Sequence, residues 1–160
     1  MKMTITYNYE QSVDEIAASF LDADFLSAKL EAVGSRDIDV SVEGVTDTEF
    51  EVTVSREVPA DVPRALKSFI SPWNKAVQVE KWTGADGGPY HADISIDSKA
   101  VPADLSSTVD LKADGDGCEC TIITNIDCSV PIVGKKLAQF IAKALEDSLD
   151  DEQAFIAEHA

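Results

Sequence analysis

The clearest pattern in the chain is the alternation of apolar and polar residues over residues 118–130. The odd positions are polar except for Ile123, and the even positions are mainly apolar. A period of two places successive side chains on opposite faces of a strand. The segment therefore predicts a long strand with one buried face, formed by Cys118, Cys120, Ile122, Thr124, Ile126, Cys128 and Val130.

Similar alternation predicts six further strands, joined by turns rich in glycine and aspartate. The turn Asp114-Gly115-Asp116-Gly117 is the sharpest hairpin signal, and hairpins imply an antiparallel sheet. One strand has an ambiguous facing, because Trp82 is out of phase with Val77 and Val79. The predicted strands cover 3–9, 36–43, 48–57, 76–83 and two segments between 90 and 111.

Three helices are predicted around these strands. Ser12 and Glu15 form a capping box that begins the first helix, and a second short helix covers 23–33. A long amphipathic helix runs from Ile132 to about Ala157, with Pro131 at its first turn. The order strand, two helices, six strands and long helix predicts an α+β fold of one domain over residues 1–160.

The charge of the chain excludes some classes of function. It has 30 acidic residues against 13 Lys and Arg, a formal net charge of −17, which repels phosphate backbones and anionic headgroups. We therefore expect no nucleic-acid binding and no membrane insertion. The first residues lack the apolar stretch of a signal peptide, and no apolar run is long enough to span a membrane, so we expect a cytoplasmic protein. We also expect a monomer or weak homodimer.

No cofactor or metal site is predicted. The three cysteines lie on one strand face, but Cys120 and Cys128 are eight residues apart, or roughly 26 Å along an extended strand. They cannot converge on one ion, because zinc–sulfur bonds are about 2.3 Å long. We interpret the cysteines as small core residues.

Short motifs along the chain resemble an uncharacterised bacterial family within the START-like, or SRPBCC, superfamily of birch-pollen-allergen-like proteins. They are Val58-Pro59-Ala60 with the following Val62–Leu66 segment, Val79-Glu80-Lys81-Trp82, and Val130–Leu137 at the start of the last helix. A Glu often follows that leucine in the family, whereas this chain has Ala138. The resemblance implies a helix-grip fold, in which a curved antiparallel sheet of about seven strands wraps around the C-terminal helix. It also implies a cavity between them for an apolar or amphipathic ligand.

Strand parity and the stripe of the last helix predict which residues line this cavity. Arg56 shares parity with the inward residues of its strand and is a candidate partner for a ligand carboxylate. Lys81 shares parity with Val77 and Val79 and is a weaker candidate. The predicted lining residues are Phe50, Val52, Val54, Arg56, Trp73, Tyr90, Ile94, Val109, Ile122, Thr124, Leu137, Phe140 and Ile141.

The family resemblance implies three possible functions, and the residue patterns are compatible with each. The first is binding of a small hydrophobic or amphipathic ligand, lipid-like or polyketide-like, with the irregular 58–75 segment as a lid over the cavity. The second is an enzyme of the cyclase or hydrolase kind, which needs an acid or base inside the cavity, where the predicted inward positions offer few. The third is a chaperone-type interaction module that uses the acidic outer face. No catalytic residue is predicted.

Overall fold

The computed structural model describes residues 1–160, which form seven strands and three α-helices. The strands are β1 (Lys2–Tyr9), β2 (Arg36–Glu43), β3 (Glu49–Pro59), β4 (Trp73–Thr83), β5 (Tyr90–Ser98), β6 (Asp104–Asp114) and β7 (Gly117–Asp127). The helices are α1 (Val13–Phe20), α2 (Ala23–Ala32) and α3 (Gly134–His159), and a short 3₁₀ helix covers Arg64–Leu66.

The strands form one curved antiparallel sheet in the order β1-β7-β6-β5-β4-β3-β2. The hairpins between consecutive strands, from β2 to β7, build the sheet outward from one edge, and β1 returns beside β7 at the other edge. The long helix α3 follows β7 and covers the concave face. The predicted α+β helix-grip architecture is confirmed.

Helices α1 and α2 join the two edge strands. Ser12 Oγ accepts the Glu15 N–H at 3.2 Å, and the Glu15 carboxylate accepts the Ser12 N–H at 3.3 Å, so the predicted capping box is confirmed. Asp22 caps α2 in a similar way through the N–H groups of Asp24 and Phe25. These caps fix where the two helices begin.

Helix α3 begins at Gly134, two residues later than predicted. The reason is Ile132, which has a left-handed backbone with φ of 70° and a fully exposed side chain. A β-branched residue in that region cannot continue a right-handed helix. The preceding Pro131 therefore lies in a turn before the helix and not at its first helical position.

Two groups of buried side chains hold the helices to the sheet. The main core lies under α1 and α2 and includes Phe20, Phe50, Val52, Trp82 and Leu111. The second core lies under the start of α3 and is formed by Leu66, Ile70, Ile126, Leu137, Ala138 and Ile141. None of the helices combines the length and the apolar character that a bilayer crossing requires.

Candidate functional site

A cavity of about 360 Å³, partly open to solvent, lies between the concave face of the sheet and the middle of α3. Of its 32 lining residues, 19 are hydrophobic. Helix α3 contributes residues from Phe140 to Glu152, and α2 contributes Leu26, Lys29 and Leu30. The lining includes members of both the main core and the second core.

Helix α3 is buried near both of its ends and lines the cavity between them. Leu137 near its start and Ile156 near its end are buried in the second core and the main core. Between them, the cavity is lined by Ala144, Leu145, Ser148 and Leu149. The space beneath the middle of α3 therefore stays open.

Most of the residues predicted to line the cavity do so. They come from four strands of the sheet and from α3, as strand parity and the helical stripe require. These residues are Val54, Arg56, Ile94, Val109, Ile122, Thr124, Phe140 and Ile141.

Phe50 and Val52 point inward but lie in the main core, outside the cavity lining. The Phe50 ring stacks on Trp82 with centroids 5.6 Å apart, and Phe20 of α1 contacts the same indole at 5.2 Å. The parity of a strand residue predicts which face of the sheet its side chain lies on. The position of α1 determines which part of that face is covered by helix side chains. The prediction that Phe50 and Val52 line the cavity is therefore corrected.

Trp73, Tyr90 and Leu137 also lie outside the cavity lining. Trp73 shares parity with the outward residues of β4, and the Arg36 guanidinium lies over its ring at 3.8 Å. Leu137 is fully buried in the second core. Tyr90 is buried in the main core, where its hydroxyl donates to Asp14 of α1 at 2.8 Å and burial raises its pKa to about 12.

Arg56 lines the cavity as a half-buried cation without a carboxylate partner. Its guanidinium donates to the hydroxyl of Ser35 at 3.3 Å. Lys29, the other lining cation, pairs instead with Glu152 at 3.5 Å across α2 and α3. Arg56 therefore retains donors for an anionic group, and the Lys29–Glu152 pair links α2 to α3 within the cavity wall.

Thr124 and Ser107 form a buried hydroxyl pair on the floor of the cavity. They are opposite each other on β7 and β6, and their oxygens are 2.8 Å apart. One hydroxyl donates to the other, so the pair keeps acceptor lone pairs for a ligand.

Strand β4 places a carboxylate in the cavity that parity did not predict. Ala76, Gln78, Glu80 and Trp82 face inward, which resolves the ambiguous facing of this strand. Lys81 is exposed on the outer face, so it is not a candidate ligand partner. Both faces of β4 carry apolar residues, so alternation could not distinguish them. The bulk of Trp82 was the available signal, because a large aromatic residue in phase with Ala76 favours the buried face.

The irregular segment between β3 and β4 is shorter than predicted, because β3 extends to Pro59 and β4 begins at Trp73. Leu66 and Ile70 are buried in the second core, and Ile70 also lines the cavity. This segment closes one end of the cavity; its role as a lid stays a prediction.

The cysteines lie away from the cavity lining. Cys118 and Cys120 are buried in the main core, and desolvation raises the pKa of Cys120 to about 12. Cys128 is half-buried beside the second core. No group of three or more His, Cys, Asp or Glu residues converges on a point that could hold a metal ion.

Comparison with known proteins gives one family and a shared fold. The profile of the family described as "Protein of unknown function (DUF2505)" matches residues 4–159. A search of curated proteins gave no match.

Solved structures match over almost the whole chain at low identity. Ara h 8.0201 is 11% identical with a TM-score of 0.62, covering 99% of both chains. Norcoclaurine synthase from Thalictrum flavum, in complex with dopamine and hydroxybenzaldehyde, is 14% identical with a TM-score of 0.62, covering 100% of this chain and 88% of that one. A STAR-related lipid transfer protein from Xanthomonas axonopodis is 14% identical with a TM-score of 0.61, covering 97% and 85%. These structures share the START-like fold with this chain.

Proposed function

The chain belongs to the DUF2505 family of proteins of unknown function and has the START-like helix-grip fold. We propose that its cavity binds a small hydrophobic or amphipathic ligand. The ligand is lipid-like or polyketide-like in character, with an apolar body and few polar groups. The observation that carries the proposal is the cavity itself, about 360 Å³ in volume and lined mainly by hydrophobic residues. Pockets for small organic molecules have volumes of about 300–1,000 Å³ and mostly apolar walls.

The polar groups on the walls support an amphipathic ligand. Arg56 can receive an anionic head, and the Ser107–Thr124 pair can accept a hydrogen bond from a ligand hydroxyl. The similar structures support the same reading by analogy, since one holds dopamine and hydroxybenzaldehyde and another is named as a lipid transfer protein. We rank binding above an interaction module, because a protein acting only through its outer surface has no need of an open apolar cavity.

We also rank binding above catalysis. Glu80 supplies a carboxylate inside the cavity, where each of its oxygens accepts one hydrogen bond from a neighbouring side chain. The cavity lining contains no histidine or cysteine, so Glu80 has no adjacent nucleophile–base pair to work with.

A cavity-filling variant tests the proposal. Ala144 lies on α3 over the cavity, and Ala144→Trp would place an indole where a ligand chain would lie. We expect the wild type to bind decanol in a dye-displacement titration, and Ala144→Trp to bind it at least about tenfold more weakly, because its side chain occupies the same space.

Ala154→Trp is the matched control, since Ala154 is exposed on the same helix but outside the cavity lining. It should bind decanol like the wild type, and all three proteins should have similar melting temperatures. Absence of decanol binding by the wild type, or equal affinity in Ala144→Trp, would refute the proposal.

A further inference from the structure

The motif Val79-Glu80-Lys81-Trp82 builds an anchored carboxylate into the wall of the cavity. Trp82 is buried in the main core, and its indole N–H donates to Glu80 Oε1 at 2.8 Å. Gln78 Nε2 donates to the other carboxylate oxygen at 2.6 Å. Two donors therefore hold Glu80 from its own strand, and its carboxylate is fixed in orientation at the cavity surface.

The charge of Glu80 has no cationic partner. Both of its hydrogen bonds come from neutral groups, and its nearest inward neighbour across the ladder on β5 is the apolar Ile94. Lys29 is paired with Glu152. Arg56 lies opposite Ala76, four residues or roughly 13 Å along β4 from Glu80. A carboxylate beside apolar walls and without a cation favours a positively charged ligand group.

We propose that Glu80 is the anchor for an ammonium group, and that the ligand class of this cavity includes amphipathic amines. This inference rests on the proposed ligand-binding function and specifies its chemistry. The alkyl part of the amine lies along the apolar lining, and its ammonium donates to the carboxylate oxygens of Glu80. Each of those oxygens accepts one bond from the protein and keeps a lone pair for the ligand.

Trp82 provides a direct reporter of this contact. The chain has two tryptophans, and Trp73 lies outside the cavity lining, so Trp73→Phe leaves Trp82 as the single indole beside Glu80. In that background, decylamine and decanol are titrated as probes with the same tail and different heads. We expect decylamine to bind about tenfold more tightly than decanol and to change Trp82 emission, because a charge-assisted hydrogen bond adds to the same apolar burial.

Glu80→Gln removes the charge and keeps an acceptor oxygen for the Trp82 indole. It should weaken decylamine binding about tenfold and leave decanol binding within about twofold. Glu80→Asp, which keeps the charge, should retain the preference for decylamine. The control is Glu51→Gln, which removes one negative charge from the exposed face of β3, opposite Lys81. It should leave both affinities unchanged.

Unaltered decylamine binding in Glu80→Gln would overturn the inference while leaving the cavity function intact, provided that decanol binds. An equal loss in Glu51→Gln would also overturn it, because the effect would then come from net charge alone. Failure of both probes to bind the wild type would refute the proposed function, and the inference with it. Circular-dichroism melting of each variant establishes that it is folded.

Discussion

Arg56 is a residue that we expect to contribute to ligand recognition and little to the stability of the fold. Its guanidinium reaches the cavity and its one hydrogen-bond partner is a neutral hydroxyl. Removal of the side chain therefore breaks no ion pair. We expect Arg56→Ala to reduce decanoate affinity about tenfold and decanol affinity by less than about twofold, because only decanoate carries a carboxylate for Arg56.

Isothermal titration with both probes checks this expectation, and Arg64→Ala, an exposed arginine on the 3₁₀ helix, is the matched control. The free energy of unfolding of Arg56→Ala should fall by less than about 1 kcal/mol. Unchanged decanoate affinity combined with a much lower melting temperature would assign Arg56 a structural role instead.

Individual residues were predictable wherever one face of a strand is uniformly polar. The inward facing of Val54, Ile94 and Val109 follows from such alternation. Strand β4 breaks the rule, because its inward face carries Gln78 and Glu80 while Val77 and Val79 lie on the other side. The alternation of apolar and polar residues therefore did not predict that Glu80 lies in the cavity wall.

At the scale of elements, α3 combines two kinds of contact. Its start is buried in the second core through Leu137, whereas Leu149 in its middle lines the cavity and is half-buried. Leu137→Ala leaves a void in packed surroundings and should cost about 3 kcal/mol of unfolding free energy. Leu149→Ala enlarges space that is already open and should cost about 1 kcal/mol or less.

Urea denaturation of the two variants makes the comparison on one helix with one type of substitution. The difference between their losses of unfolding free energy measures how much less tightly the middle of α3 is packed than its start. Equal losses would mean that the middle of the helix is packed as tightly as its start, and would contradict the described cavity.

The elements themselves were largely predictable, and their ends less so. The existence of α3 follows from its apolar stripe, which no strand period would produce. Its first residue was not predictable, because nothing in the sequence indicates that Ile132 has a positive φ. Isoleucine is among the residues that adopt this backbone least readily.

At the scale of the whole molecule, the order of elements indicated the helix-grip fold. The cavity, however, depends on the distances between the helices and the sheet, which the alternation of apolar and polar residues does not give. Parity gives the direction of a side chain and not how much of the space in front of it is filled. Phe50 and Val54 share one face of β3 and both belong to the main core, yet Phe50 stacks on Trp82 outside the cavity lining and Val54 lines the cavity. The difference arises from where α1, α2 and α3 rest on the sheet.

Ligand binding in the cavity is tested most directly by a crystal structure of the protein grown with decanol. We expect continuous density for the alkyl chain between Ile94 of β5 and Phe140 of α3, with the helix in its described position. Density for decanol only on the outer face of the sheet, or a helix α3 moved inward so that Phe140 fills the cavity, would show that the cavity is not the binding site.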